Sequence, residues 1–269
     1  MKSVLDKILT QKKERVAEYK KKYQISNILE NIKKINNFIS FEDKIKSREK
    51  DGKISIIAEI KKSSPSAGIL VENFNHLKIA DLYINNGASF LSVLTEEDFF
   101  LGKLEYIKNI KGKHKIPILC KDFFIDTYQV PLAKSFGADC VLIILSAVDK
   151  ILAKDLYQAA NDLKMSTLIE VHSKEEAEIA LSFENSLIGI NNRNLNTLQT
   201  SLDISIKLSE ILSQHKKSLI AESGIYTVEH IKFILKNAKI YNFLIGESLL
   251  KSSDIASTLR QFTQITIDN

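Results

Sequence analysis

From residue 54 onward, short runs rich in Ile, Val and Leu alternate with stretches whose apolar residues recur every three or four positions. That is the rhythm of strands separated by single helices. The strand-like runs span residues 54–61, 89–95, 116–121, 140–145, 167–171, 187–191, 218–222 and 242–245. Helix punctuation falls between them. Asn75 precedes and Gly87 follows the first helical stretch, Asp126 and Gly137 bracket the third, and Asp149 precedes the fourth. Ser173 and Glu176 have the spacing of a capping box before the fifth. Apolar strands joined through single helices pair in parallel by right-handed crossovers. Eight such units predict an α/β fold, a closed (β/α)8 TIM barrel.

Residues 1–50 carry no strand signal and read as helices, with Val4, Leu5, Ile8, Leu9, Val16 and Tyr19 at roughly helical spacing and the lysines between them on a wet face. The expected organisation is a helical extension, 1–50, packed on a catalytic barrel, 51–269, as a single domain overall. A length of 269 residues and 44% hydrophobic content suit one barrel. An open doubly wound sheet is the structural alternative, but no G-x-G-x-x-G follows the first strand run.

The net charge of +5, from 38 basic and 33 acidic residues, is mild and dispersed, and fits an anionic metabolite as readily as a nucleic acid. Cys120 and Cys140 lie inside strand runs, where a free thiol acts as a small buried hydrophobe, and a reduced, cytoplasmic setting is expected. The start has no apolar core of signal-peptide length, and no apolar stretch is long enough to span a bilayer. His76, His114, His172, His215 and His230 are scattered and show no metal-ligand spacing, and most read as ordinary surface or packing histidines.

In a barrel, the carboxyl ends of all the strands face one mouth. The first run alternates so that Ile56, Ala58 and Ile60 share one face while Ile57, Glu59 and Lys61 share the other, placing Glu59 and Lys61 side by side. Lys121 ends the third run, Glu170 lies on the fifth, Asn191 and Arg193 follow the sixth, and Glu222 and Ser223 close the seventh. A solvated rim accounts for any one of these, less readily for charges on apolar strands in five places. Gly224 and Gly246 follow the last two runs, where backbone N–H groups can approach an anion, and a short helix starting near Glu247 would aim its N-terminus at a phosphate.

Together these residues resemble the indole-3-glycerol phosphate synthase family. The likeness covers nearly the whole chain: Ile57-Ala58-Glu59-Ile60-Lys61-Lys62-Ser63-Ser64-Pro65-Ser66, Leu94-Thr95-Glu96 with Phe100 and Gly102, Pro117 through Phe123, Leu168-Ile169-Glu170-Val171, Gly189-Ile190-Asn191-Asn192-Arg193, Ala221 through Ile225, and Phe243 through Ser248. The resemblance implies conversion of 1-(2-carboxyphenylamino)-1-deoxyribulose 5-phosphate to indole-3-glycerol phosphate with loss of carbon dioxide and water, without metal or organic cofactor. It implies Lys121 as general acid, Lys61 holding the substrate, Glu170 as base, Glu59 assisting and Asn191 fixing geometry. The division of acid roles among Lys61, Glu59 and Lys121 stays open on sequence alone. Ser64, Arg193, Glu222 and Ser223 match substrate-site positions, and Phe100, Phe123 and Leu142 an apolar wall. Ser223, Gly224, Gly246 and Glu247 match the phosphate cradle. Many relatives have serine at Glu247, so its side chain is expected to point outward. Lys61 and Lys121 are expected to depress each other's proton affinity.

The rival within the fold, phosphoribosylanthranilate isomerase, lacks the E-x-K-x-x-S-P-S opening and the long N-terminal extension. A nucleic-acid-binding module built on the basic first fifty residues would leave the polar mouth unexplained. The expected partner is thus a small anionic substrate, with no nucleic acid and no membrane. The expected state is a monomer, with a weak homodimer as the alternative. At this length no second, fused barrel is expected.

Overall fold

The computed structural model describes residues 3–36, 38–194, 197–212 and 218–266; His215 and the outermost termini lie outside them. Three helices come first: α1 (Val4–Lys22), α2 (Ile25–Lys33) and α3 (Phe41–Lys50). Strands β1 (Ser55–Ile60), β2 (Phe90–Leu94), β3 (Ile118–Lys121), β4 (Cys140–Ile144), β5 (Ser166–Val171), β6 (Leu187–Asn191), β7 (Leu219–Glu222) and β8 (Asn242–Ile245) then pair in parallel, each with its neighbour in sequence, and β8 closes on β1. The closed (β/α)8 barrel is the one expected, with strand ends shifted by up to two residues. Between strands run α4 (His76–Asn85), α5 (Leu104–Lys113), α6 (Gln129–Ser135), α7 (Lys150–Asp162), α8 (Lys174–Ala180), α9 (Asp203–Leu212) and α10 (Val228–Ala238). The short α11 (Glu247–Leu250) and α12 (Ile255–Thr263) follow β8. No described helix is long and apolar enough to cross a membrane.

Period-two alternation sorts the strand residues into two cores. Ile56, Ala58, Ile60, Cys120, Ile169 and Ile190 face the surrounding helices. Ile57, Phe90, Leu119, Cys140, Leu142, Leu168, Leu187, Ile220 and Leu244 fill the barrel interior. Both cysteines are buried and free. The amino end of the barrel is plugged by α3. Phe41 packs on Phe90 with ring centroids 4.4 Å apart, and Ile45 is fully buried beside it. Glu49 on the same helix accepts hydrogen bonds from Ser218 Oγ and Asn242 Nδ2.

The caps differ in detail from the sequence reading. Asn75 and Asp149 cap α4 and α7 as expected. Ser173 Oγ accepts from Glu176 N, but the Glu176 carboxylate returns to the backbone N–H of His172 rather than of Ser173, so only half of the capping box forms. Asp126 heads a turn, accepting from Tyr128 N, and α6 begins three residues later.

The wet lysine face of α1 also needs correction at one position. Lys12 is fully buried, with Nζ 2.5 Å from Asp122 Oδ1, and Asp122 in turn accepts from Thr95 Oγ1. A buried ammonium requires such a counter-charge. Arg15 extends the seam to Glu97 and Asp98. These pairs dock α1 across the carboxyl end of the barrel, where Val4, Leu5 and Ile8 line the mouth.

Phe41→Ala removes the side chain that fills the amino end of the barrel. It should lower unfolding free energy by about 3–5 kcal/mol in urea titration. A loss below about 1 kcal/mol would show that α3 does not plug the barrel.

Candidate active site

One cavity opens at the carboxyl end of the strands, and every site residue named from the sequence lines it: Glu59, Lys61, Ser64, Phe100, Lys121, Phe123, Leu142, Glu170, Asn191, Arg193, Glu222, Ser223, Gly224, Gly246 and Glu247. At its floor, Lys121 Nζ lies 2.8 Å from Glu170 Oε2 and 3.5 Å from Glu222 Oε2. Asn191 Nδ2 donates to Glu170 Oε1 at 3.0 Å, and its Oδ1 accepts from the Arg193 backbone N–H. Lys61 Nζ lies 2.6 Å from Glu59 Oε1, the side-by-side placement expected from alternation. Phe100 and Phe123 stand on one wall with ring centroids 6.3 Å apart. A two-residue hairpin, Ser63–Ser64 with Gly68–Ile69, carries Ser64 over the rim.

Two glycines make room for this charge cluster. A Cβ at Gly189 would overlap Glu222 Oε1, so the glycine on β6 is what lets the β7 carboxylate lie inside the barrel. A Cβ at Gly246 would sit 2.6 Å from Glu59 Oε1. Gly246 has φ of −134°, so its local requirement is space for Glu59 rather than a left-handed backbone. Ser223 and Gly224 do adopt positive φ, 64° and 75°. For serine this is an uncommon conformation, and it turns the chain sharply at the end of β7.

The electrostatics overturn one expectation. Burial alone would lower the proton affinity of Lys121, but the Glu170, Glu222 and Glu59 carboxylates more than offset it and hold the ammonium well above its ordinary value. The nearest ionic partner of Lys121 is Glu170, and that of Lys61 is Glu59, so mutual repulsion of the lysines does not set the proton affinity of Lys121. Burial pushes Glu170 up, yet Lys121 and His172 overcome it and leave this carboxyl below the usual range. Glu222 is raised to about 8 by burial, opposed by Lys121 and reinforced by Glu170 and Glu59. Its Oε1 is buried without a hydrogen-bond partner among the described residues.

Glu247 also departs from its expected orientation. Its carboxylate reaches Arg193 Nη2 at 3.2 Å and Lys251 Nζ at 2.7 Å, so it lies along the rim between two cations instead of pointing out to solvent. Two sets of residues at the mouth escaped the sequence reading. Val4, Leu5 and Ile8 looked like ordinary helix packing. His172 was not singled out from the scattered histidines, although its position two residues after Glu170 was the available signal.

An eight-stranded parallel barrel with a lysine among carboxylates at its carboxyl-end mouth defines a (β/α)8 acid–base enzyme. The chain belongs to the indole-3-glycerol phosphate synthase family, whose model matches residues 5–262. It is 40% identical over 258 residues to indole-3-glycerol phosphate synthase of Desulforamulus reducens, covering 96% of each chain. To the protein of that name from Legionella pneumophila (strain Lens) it is 40% identical over 262 residues, covering 97% of this chain and 98% of the relative. Family membership makes it a decarboxylating lyase of tryptophan biosynthesis that acts on a small-molecule phosphate. Solved structures of more distant sequence share the barrel alone. Tryptophan synthase subunit alpha from Legionella pneumophila str. Paris matches with TM-score 0.61 and 13% identity over 82% of this chain and 96% of that one. For 3-hexulose-6-phosphate synthase from Salmonella typhimurium the values are 0.64, 14%, 78% and 97%.

Glu222 and His172 both bind protons more tightly folded than unfolded, with folded values near 8 and 9. Their stabilisation is therefore complete below their ordinary values and is lost as pH rises from there through about 8 for Glu222 and about 9 for His172. Urea unfolding should show lower stability at pH 9 than at pH 6. Glu222→Gln should flatten that slope, and an unchanged slope in the variant would show that Glu222 holds no extra proton.

Proposed function

We propose that the chain closes the indole ring of 1-(2-carboxyphenylamino)-1-deoxyribulose 5-phosphate with Lys121 as general acid and Glu170 as base. The observation that carries this reading is the Lys121 ammonium, hydrogen-bonded to Glu170 on the floor of a cavity walled by Phe100, Phe123 and Leu142. The aromatic wall suits the anthranilate ring. Arg193 and Lys61 at the rim suit the substrate's anionic groups, and Ser64 adds a hydroxyl beside them.

Ring closure forms a bond from the carboxyl-bearing ring carbon to the ketone carbon, and the carbonyl electron pair moves onto oxygen. An alkoxide is a stronger base than an amine, so even an ammonium held firmly by carboxylates donates to it as charge develops. Proton transfer breaks the Lys121 N–H bond and forms the hydroxyl. Loss of carbon dioxide returns its bonding pair to the ring and restores aromaticity. The hydroxyl then leaves as water with a proton from an acid, for which Lys61 beside Glu59 is placed. Departure leaves a cation whose adjacent C–H is acidic, and Glu170 takes that proton. Lys121, neutral after the first step, no longer suppresses the proton affinity of Glu170, so the base strengthens when it is needed. Asn191 holds Glu170 Oε1 throughout.

The backbone of Ser223, Gly224, Gly246 and Glu247 forms the proposed phosphate cradle. The sharp turn at Ser223 and Gly224 and the start of α11 support it. The Glu247 carboxylate beside it is paired with Arg193 and Lys251, which offset its charge.

Lys121→Met should cut kcat by on the order of hundredfold or more, with the fold retained, when indole-3-glycerol phosphate formation is followed by fluorescence. Glu170→Gln should lower kcat with KM nearly unchanged. A Lys121→Met enzyme keeping more than half its activity, or a Glu170→Gln enzyme whose defect lies in KM alone, would reassign these roles. Inorganic phosphate should compete with substrate, raising apparent KM without lowering kcat. Inhibition that lowers kcat instead would place the phosphate site elsewhere.

A further inference from the structure

His172 follows β5 directly, two residues beyond Glu170. Its ring lies between two carboxylates, with Nε2 3.2 Å from Glu170 Oε1 and Nδ1 3.3 Å from Glu176 Oε2. The first turn of α8 fixes it there: its backbone N–H donates to Glu176 Oε2 at 2.7 Å, and Glu176 N donates to Ser173 Oγ. The ring is only 11% exposed, and Nε2 is buried and off the line of a hydrogen bond to Glu170. A neutral imidazole brings no charge between the two carboxylates, whereas the imidazolium sets a positive charge beside both, with Nδ1 bonded to Glu176 and Nε2 close to Glu170. Burial alone would lower the proton affinity of His172, but Glu170 and Glu176 more than offset it and carry the ring to about 9.

We propose that His172 is a positioning residue, held as a cation between Glu176 and Glu170, that keeps Glu170 ionised while Lys121 is without its proton. The inference rests on the reading of Lys121 as acid and Glu170 as base. In the resting site, Glu170 is paired with Lys121. When ring closure moves a proton from Nζ to the former ketone oxygen, the lysine becomes neutral and Glu170 loses that counter-charge. An unpaired buried carboxylate is costly. Without a second cation, Glu170 would oppose the transfer or pick up a proton before the base step. The imidazolium remains in place as that second cation. The charged groups bearing on this balance are Glu170 and Glu176 beside the ring, with Lys121 and Glu222 across the floor of the site.

Turnover and ring titration in the full-length enzyme test this. His172→Gln should lower kcat about tenfold or more with KM within about threefold. In the parent, kcat should fall at alkaline pH as His172 loses its proton, and that limb should be missing from the His172→Gln profile. Glu176→Gln removes one counter-charge and should draw the limb toward neutral pH. Isotope-edited NMR should show the His172 ring titrating well above the ordinary value of about 6.5. The proposal is overturned by a His172 that titrates at or below that value, by a His172→Gln enzyme with parental kcat or with its defect in KM, or by an alkaline limb that Glu176→Gln leaves unmoved. Should His172→Gln fail to fold, the Glu176→Gln profile and the NMR titration decide. Glu170→Gln assayed in parallel separates the two readings. If it is inactive while His172→Gln behaves as the parent, only the role of His172 falls; if it is active, the base assignment itself falls.

Discussion

The Lys121 ammonium sits within 3.5 Å of carboxylates from two other strands, and the mouth of the barrel is arranged around making that burial tolerable. A buried charge of either sign is costly alone, and removing one partner from such a cluster leaves the rest exposed to that cost. Glu170 therefore receives Lys121, Asn191 and His172, and Glu59 receives Lys61. Gly189 and Gly246 give up their side chains so that Glu222 and Glu59 fit. The cluster holds more carboxylates than lysines on its floor, and burial among them raises the proton affinity of Glu222. In the proposed reaction the same balance would give the chemistry its order: the proton that stabilises the resting cluster is the one ring closure would draw out, and its departure would ready Glu170 as base.

The N-terminal helices serve the two ends of the barrel differently. At the amino end, α3 supplies Phe41 and Ile45 to the interior core, so the barrel is not packed by its own strands alone. At the carboxyl end, α1 is anchored by the buried Lys12–Asp122 pair, and Asp122 is the residue next to Lys121. The helix thereby brings Val4, Leu5 and Ile8 to the cavity, and it is tied to the strand end that carries Lys121.

The barrel was legible because parallel strands covered on both faces must be apolar runs, and the eight runs are separated by helices of suitable length. Most of the mouth was legible too, because charges at the ends of such runs have few other reasons to be there. What the sequence hid were relationships that depend on three-dimensional partners. Lys12 looks like any lysine of a wet helix face until Asp122 is placed against it, and His172 looks incidental until α8 turns Glu176 back onto it. The proton affinity of Lys121 was misjudged for the same reason. Sequence showed two lysines converging, while the decisive partners were three carboxylates at distances only the fold sets. Glu247 was expected to point outward, and it pairs instead with Arg193 and Lys251 along the rim.

The central claim is that the ketone oxygen meets Lys121 while Glu170 waits beside it. A crystal structure of the enzyme with a substrate analogue whose ketone is reduced to a hydroxyl tests this most directly. The account predicts that hydroxyl oxygen about 3 Å from Lys121 Nζ, with the aromatic ring against Phe100 and Phe123. An analogue oxygen bound to Lys61 Nζ, with Lys121 out of hydrogen-bonding reach and still paired only with Glu170, would contradict it.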